Sequence, residues 1–259
     1  MEIQGKVVVI TGAASGIGAA LAQRCARAGA AAIVVADRDI EGARGVAHAI
    51  GSTALALNCD VSREDAIQAL VAQACDRFGR VDLFVSNAGI LGPEGGFEIA
   101  DEVWNSMWQI HVMAHVWAAR AVVPRMLANG GGYFLVTASA AGLLNIVETA
   151  PYGVTKHAAV AFAEWLRIAY GRRGIAVSCL CPQAVDTPMT ARGAGSAGVD
   201  GALSPQAVAE VVLETLRDER FLVLPHPEVA AYMKAKAQDY DRWLGGMQKL
   251  HARHTQAMS

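Results

Sequence analysis

Tyr152 and Lys156 stand four residues apart in Tyr152-Gly153-Val154-Thr155-Lys156, a spacing that puts both side chains on one face of a helix. A free phenol titrates near ~10, so a tyrosine acting as a base at neutral pH needs its pKa lowered by roughly 3 units, or ~4 kcal/mol. An ammonium fixed one turn away supplies stabilisation of the required sign. Such pairs also arise by chance on solvated helix faces, so the context decides. The preceding run ends Val136-Thr137-Ala138-Ser139, followed by Ala140-Ala141-Gly142. As a strand of a parallel sheet, it would present Ser139 at the end that faces a ligand crevice, where its hydroxyl can hydrogen-bond a reacting oxygen. Far upstream, Thr11-Gly12-Ala13-Ala14-Ser15-Gly16-Ile17-Gly18 joins an apolar run to a helical pattern. Its glycines allow a sharp turn and close approach to a pyrophosphate, which the free amides and dipole of a helix N-terminus attract. The G-x-x-x-G-x-G spacing departs from the usual G-x-G-x-x-G fingerprint. Asp37 closes the next apolar run, where a carboxylate accepts hydrogen bonds from adenosine ribose hydroxyls and repels a 2′-phosphate, favouring NAD over NADP. Arg38 beside it is a cation of the kind that favours the phosphate, but Ala13-Ala14-Ser15 adds no second one. The plainer reading of Asp37 is a turn residue.

These residues need a scaffold, and the periodicity supplies one. Residues 6–11, 32–37, 54–60, 81–86, 133–139, 176–181 and 221–224 read as strands. Helical patterns at 16–28, 40–49, 63–78, 101–128, 152–172 and 205–218 separate them. Ser62 with Asp65 reads as a capping start, and Gly29 and Gly79 as helix stops. Repeated β-α-β units with short connections predict an α/β, three-layer Rossmann fold: a doubly wound parallel sheet of about seven strands with helices on both faces. No linker divides the chain, so residues 1–259 read as a single domain. The small-residue stretch 187–203 has no clear period and reads as a lid or a disordered loop. Residues 225–259 form a tail that opens with Pro225-His226-Pro227 and continues helically over about 228–251, beyond the last strand and available for assembly.

Composition excludes other classes. The 259 residues are 53% hydrophobic, with a formal net charge of -2 and scattered basic residues, which gives no reason to expect nucleic acid. No stretch approaches the ~20 apolar residues of a membrane span, and the Val7–Ile10 run is too short for a signal peptide. Cys25, Cys59, Cys75, Cys179 and Cys181 form no secreted-type framework. Cys179 and Cys181 share one strand face without further ligands and read as buried thiols rather than a metal site. A reducing cytoplasm is the expected setting.

Taken in order, TGAASGIG, Asp37, Asn87-Ala88-Gly89, Ser139, YGVTK and the Pro182…Thr187-Pro188 turn resemble the short-chain dehydrogenase/reductase family, over residues 3 to about 224. The resemblance implies a Rossmann fold with Ser139, Tyr152 and Lys156 as catalytic core, and hydride transfer between NAD(H) and a secondary alcohol or ketone. Ser139 would orient the oxygen and Tyr152 exchange its proton. Lys156 would hold the ribose and, with the positive nicotinamide ring, keep the phenolate accessible. The cofactor would lie against Gly12, Ser15, Gly16, Ile17 and Gly18, with Asp37 and Arg38 at the ribose and Asp60 and Val61 at the adenine. Asn87, Ala88 and Gly89 would support the crevice, with Pro182, Val185 and Thr187 near the nicotinamide. Asp60 has the alternative reading of a turn residue before Ser62. The resemblance also implies a homotetramer (or a homodimer) built on helices 101–128 and 152–172, with Trp104, Trp108, Trp117, Phe162 and Trp165 as apolar bulk.

Two positions depart from the family pattern. His111 stands where the family carries an asparagine whose backbone carbonyl binds a water in the proton path. Histidine keeps the carbonyl, and its ring is either structural or part of the relay. His111 and His115 also have the i,i+4 spacing of a helical metal pair, but HVMAH lacks the glutamate of H-E-x-x-H and a third ligand, so no metal is expected. Gln183 replaces a glycine at the nicotinamide or substrate entrance. The substrate pocket is expected around Leu143, Leu144, Asn145 and Val147, Ile90 and Leu91, Gln183 and Met189, an apolar set favouring a hydrophobic or aromatic substrate. Glu94 and Glu148 read as solvated loop charges. The rival reading is a catalytically silent dinucleotide-binding or sensing protein, which would be expected to have lost Ser139, Tyr152 or Lys156.

Overall fold

Short runs rich in valine, isoleucine and leucine form strands buried on both faces, the pattern of a parallel sheet covered by helices. The structure, a computed structural model, describes residues 1–191 and 193–258. Position 192 of the expected lid and the last residue of the expected tail lie outside the described residues. The strands are β1 (Val7–Thr11), β2 (Ala32–Asp37), β3 (Ala54–Asn58), β4 (Leu83–Ser86), β5 (Gly132–Thr137), β6 (Ile175–Leu180) and β7 (Leu222–Val223). All pair in parallel, in the order β3-β2-β1-β4-β5-β6-β7. The doubly wound Rossmann sheet expected from the sequence is the observed fold. Its winding reverses between β1 and β4, so the carboxyl ends of these strands open a crevice.

The helices are α1 (Gly16–Arg27), α2 (Ile40–Ile50), α3 (Glu64–Phe78), α4 (Asp101–Trp108), α5 (Ala114–Ala128), α6 (Ala141–Leu144), α7 (Ala150–Tyr170), α8 (Pro205–Asp218), α9 (Glu228–Gln238) and α10 (Tyr240–Met258). Alternation along β1 divides the core. Val8 and Ile10 pack with Leu21, Ala43 and Val208 of α1, α2 and α8, while Val9 packs with Leu70, Val122 and Ala163 of α3, α5 and α7. Cys179 and Cys181 are both buried, with sulfurs 3.7 Å apart. Among the described residues no helix is long and apolar enough to cross a membrane.

Several expectations need correction. Ser62 caps nothing: α3 starts at Glu64 behind Arg63, and the Ser62 hydroxyl donates to Asp60 Oδ1 at 2.7 Å. That same turn ends β3 at Asn58, short of the expected 60. Helix 101–128 is interrupted by one π-helical turn, Gln109–Met113, which holds His111. The tail is two helices, broken where Asp239 turns extended. Around the stretch 187–203, Pro188–Thr190 and Gly195–Gly198 form 3₁₀ turns, and Val185 is bridged to Leu203.

Candidate active site

The crevice is built first from a glycine turn. β1 ends at Thr11, and α1 starts at Gly16 with no side chain capping it. The first helical bond runs from Ala19 N–H to Ser15 O, so the amides of Gly16, Ile17 and Gly18 precede it and face out of the helix end. Gly12 takes a φ of 66°, a left-handed value that glycine adopts without steric cost. A Cβ on Gly18 would collide with the Gly12 carbonyl and lie 2.8 Å from Asn87 Nδ2. Asn87 secures this turn, donating from Nδ2 to Thr11 O at 3.0 Å and Gly12 O at 3.3 Å. The turn is thus a cradle without side chains, at a helix N-terminus, of the kind that takes a phosphate. Asp37 at the end of β2 accepts from Ala14 N–H and Asp39 N–H, both at 3.0 Å, and lines the same crevice. Asp60 also lines it, while its Oδ1 serves the turn at Ser62.

Ser139 lies two residues past β5, and α7 opposite it presents Tyr152 and Lys156. Ser139 Oγ accepts from Ala141 N–H at 3.1 Å and donates to Pro182 O at 3.4 Å. Lys156 Nζ donates to Thr137 O at 3.2 Å and sits 5.6 Å from the Tyr152 ring centroid. Both side chains are buried. Burial lowers the Lys156 pKa to about 8, with the Cys179 and Cys181 thiols opposing the shift. Burial also raises the Tyr152 phenol above its ordinary value, with the Ser139 side chain opposing the shift. Within the protein alone, therefore, desolvation outweighs the Ser139 hydroxyl, contrary to the expected depression of this phenol.

His111 is held at both ring nitrogens. Its Nε2 accepts from Ile90 N–H at 3.1 Å, and its Nδ1 meets Thr155 Oγ1 at 2.9 Å. The Thr155 hydroxyl donates to Pro151 O, so Nδ1 carries the proton and the ring is neutral. Burial, then Lys156, lowers its pKa well below 6.5. Both nitrogens meet protein partners, Ile90 N–H and the Thr155 hydroxyl. His115 points elsewhere, to Ser86 Oγ at 2.7 Å.

A cavity of about 860 Å³ joins these parts. It brings together Gly12, Ser15, Gly16, Ile17, Gly18, Asp37, Arg38, Asp60, Val61, Asn87, Ala88, Gly89, Ser139, Tyr152, Lys156, Pro182, Val185 and Thr187. Of the substrate candidates, Ile90, Leu91, Leu144, Asn145, Gln183 and Met189 line it. Leu143 and Val147 do not. Leu143 packs against the Ala140, Leu144 and Val229 cluster, and its carbonyl accepts from Lys236 Nζ at 2.7 Å. His111 lies beneath the floor rather than in it, fully buried. Glu148 is no solvated charge: its side chain is 8% exposed and accepts from the Ser196 backbone and hydroxyl, tying down the 195–198 turn. Sequence reasoning missed Tyr232, Trp243, Met247 and Leu250, which the tail contributes to the lining. The i, i+4, i+7 spacing of the last three was the available signal.

Residues 6–195 match the family described as short chain dehydrogenase. The chain is 37% identical over 254 residues to a 1-deoxy-11-beta-hydroxypentalenate dehydrogenase of Streptomyces exfoliatus, covering 94% of this chain and 90% of that protein. It is 34% identical over 190 residues to a 3beta-hydroxysteroid dehydrogenase of Mediterraneibacter gnavus, covering 72% and 68%. Among solved structures, a short chain dehydrogenase/reductase from Burkholderia phymatum in complex with NAD superposes with a TM-score of 0.86 at 28% identity, covering 93% of this chain and 96% of that one.

Proposed function

The chain belongs to the short-chain dehydrogenase family, and from that premise we propose that it transfers a hydride between NAD(H) and a hydrophobic secondary alcohol or ketone. The observation that carries this reading is the meeting of Ser139, Tyr152 and Lys156 on the floor of the cavity that also holds the glycine cradle. The cradle fits a dinucleotide: close-packed glycine backbone, outward amides and a carboxylate at the end of the second strand are the groups a pyrophosphate and a ribose require. When bound, the nicotinamide accepts or donates the hydride and carries the positive charge of its oxidised form.

The chain's residues do the rest. The Ser139 hydroxyl holds the substrate oxygen. Tyr152 takes the alcohol proton in oxidation and returns it in reduction. Lys156, charged at neutral pH with a pKa of about 8, anchors a ribose hydroxyl and stabilises the phenolate. Asp37 accepts from the adenosine ribose and disfavours a 2′-phosphate, the basis for choosing NAD. The substrates in the relatives' names, a hydroxypentalenate and a hydroxysteroid, agree with an apolar lining at Ile90, Leu91, Leu144 and Ile146. The family resemblance further supports a homotetramer.

The test is a panel of cyclic and open-chain secondary alcohols and ketones with NAD, NADH and their phosphorylated forms, followed through absorbance of the reduced nicotinamide. Turnover of apolar alcohols with NAD at higher kcat/KM than with NADP is expected. Tight NADH binding without turnover of any member would instead support a silent dinucleotide sensor. A higher kcat/KM with NADPH than with NADH overturns the cofactor assignment.

A further inference from the structure

The tail closes back over its own cavity. Trp243, Met247 and Leu250 of α10, at i, i+4 and i+7, line it together with Tyr232 of α9. These three helical side chains are partly buried, while their neighbours Leu244, Gln248 and Lys249 are exposed. One turn beyond Leu250, on the same face, His254 Nε2 sits 3.0 Å from Glu94 Oε2, and its Nδ1 is 4.0 Å from Glu148 Oε1. Glu148 in turn grips Ser196. Four segments therefore converge at this rim: the loop at Glu94, the stretch after α6, the 195–198 turn and α10.

The helix that spans the cavity is also intrinsically weak. Gly245 and Gly246 occupy its interior, at a cost of about 1 kcal/mol each relative to alanine. Packing does not demand them, because a Cβ at either position would meet nothing within 4 Å. A helix held mainly by an apolar stripe and a terminal histidine–carboxylate contact, with a soft centre, is suited to lift and reseat.

Resting on the oxidoreductase reading, we infer that α10 is a lid in cis whose Met247 and Leu250 set the substrate: a free, compact, ring-built apolar alcohol rather than a long acyl thioester. Apolar walls from α10 and α9 reward a rigid substrate that fills the space, since it has few rotamers to lose. A long acyl chain would have to pass under the helix, and a carrier-linked one would hold the lid off its Glu94 and Glu148 contacts.

The experiment uses the full chain with a series of secondary alcohols of one to three fused saturated rings, alongside 3-ketoacyl N-acetylcysteamine thioesters of rising length. Leu250→Trp is expected to lower kcat/KM for the three-ring alcohol by about tenfold or more, the scale of a few lost or clashing methylenes. The one-ring alcohol should stay within about twofold of wild type. Leu250→Ala and Met247→Ala are expected to move the preference toward the larger ring systems, with NADH affinity unchanged. The same ranking should appear in Kd for the alcohols, read from tryptophan fluorescence, so the lid is tested even if no substrate turns over. Turnover with unchanged ring-size ratios in all three variants overturns the lid inference while leaving the oxidoreductase reading intact. So does a wild-type preference for the long thioesters.

Discussion

At the level of single residues, the site is a contest between burial and charge. Tyr152 is buried, and desolvation raises its phenol, so the proton-accepting form depends on positive charge brought beside it. Tyr152→Phe is expected to cut turnover by about 10³-fold, the usual share of a general acid–base group, with NADH affinity by fluorescence titration close to wild type. Turnover within about tenfold of wild type would remove Tyr152 from its role. The two histidines facing Lys156 make a second prediction. His115 is fully buried, with its pKa lowered to about 3 by burial and then by Lys156, and His111 is lowered well below 6.5. A histidine whose folded pKa lies below its unfolded value binds its proton only on unfolding, so acid pulls the protein toward the unfolded state. For His115 the loss starts as pH falls through 6.5 and continues to about 3. Each such group contributes about 1.4 kcal/mol per pH unit within its window. Urea unfolding at pH 7, 6 and 5 should show stability falling with acid, and His115→Leu should flatten that slope by about one proton. An unchanged slope in His115→Leu would mean that the ring is already protonated in the fold. His111→Asn should leave the pH–rate profile near neutrality in place, because the imidazole stays neutral throughout.

At the level of elements, the β-α-β alternation was legible because strands buried on both faces and amphipathic helices leave opposite periodicities in the chain. Asp37 at the end of β2, Ser139 past β5 and the Tyr152–Lys156 pair could be placed from that alternation alone. Leu143 could not be separated from Leu144, since adjacent residues of a one-turn helix diverge by about 100° and only packing against Val229 tells them apart. Glu148 was unreadable for a related reason: its partner, Ser196, lies 48 residues away. The tail's contacts with the cavity were unreadable because a helix with an apolar stripe looks the same whether it packs on another subunit or on its own cavity. The glycine turn yields the prediction at this scale. Gly18→Ala forces a Cβ against the Gly12 carbonyl and the Asn87 amide. The backbone cannot yield as a side chain would, so overpacking of about 1–3 kcal/mol is expected, together with loss of dinucleotide affinity. Calorimetric titration with NAD and a thermal melt read the two effects. Wild-type affinity in Gly18→Ala would show that the cradle is not where the pyrophosphate sits.

For the molecule as a whole, the remaining feature is what α7 leaves uncovered. Its inner face supplies Tyr152, Lys156, Ala159 and Ala163 to the site and core, while Val154, Trp165 and Ile168 are 50%, 56% and 81% exposed. Trp108, at the end of α4, is 42% exposed. Isolated exposed apolar residues are ordinary, but Val154, Trp165 and Ile168 recur on one stripe of a single helix, and α7 packs beside both α4 and α5. A stripe of this kind on α7 is best covered by the same stripe of a second copy, because a two-fold axis brings identical patches together. Pairing there would also stiffen the helix that carries Tyr152 and Lys156, coupling assembly to activity. Size-exclusion chromatography with light scattering at micromolar concentration is expected to give a mass at least twice the 27.1 kDa of the chain. Ile168→Glu with Trp165→Ala should reduce that mass and lower the melting temperature, since buried apolar area lost from the interface is lost from the folded state of every subunit. A wild-type chain that runs as a stable monomer with full turnover would show that α7 works uncovered.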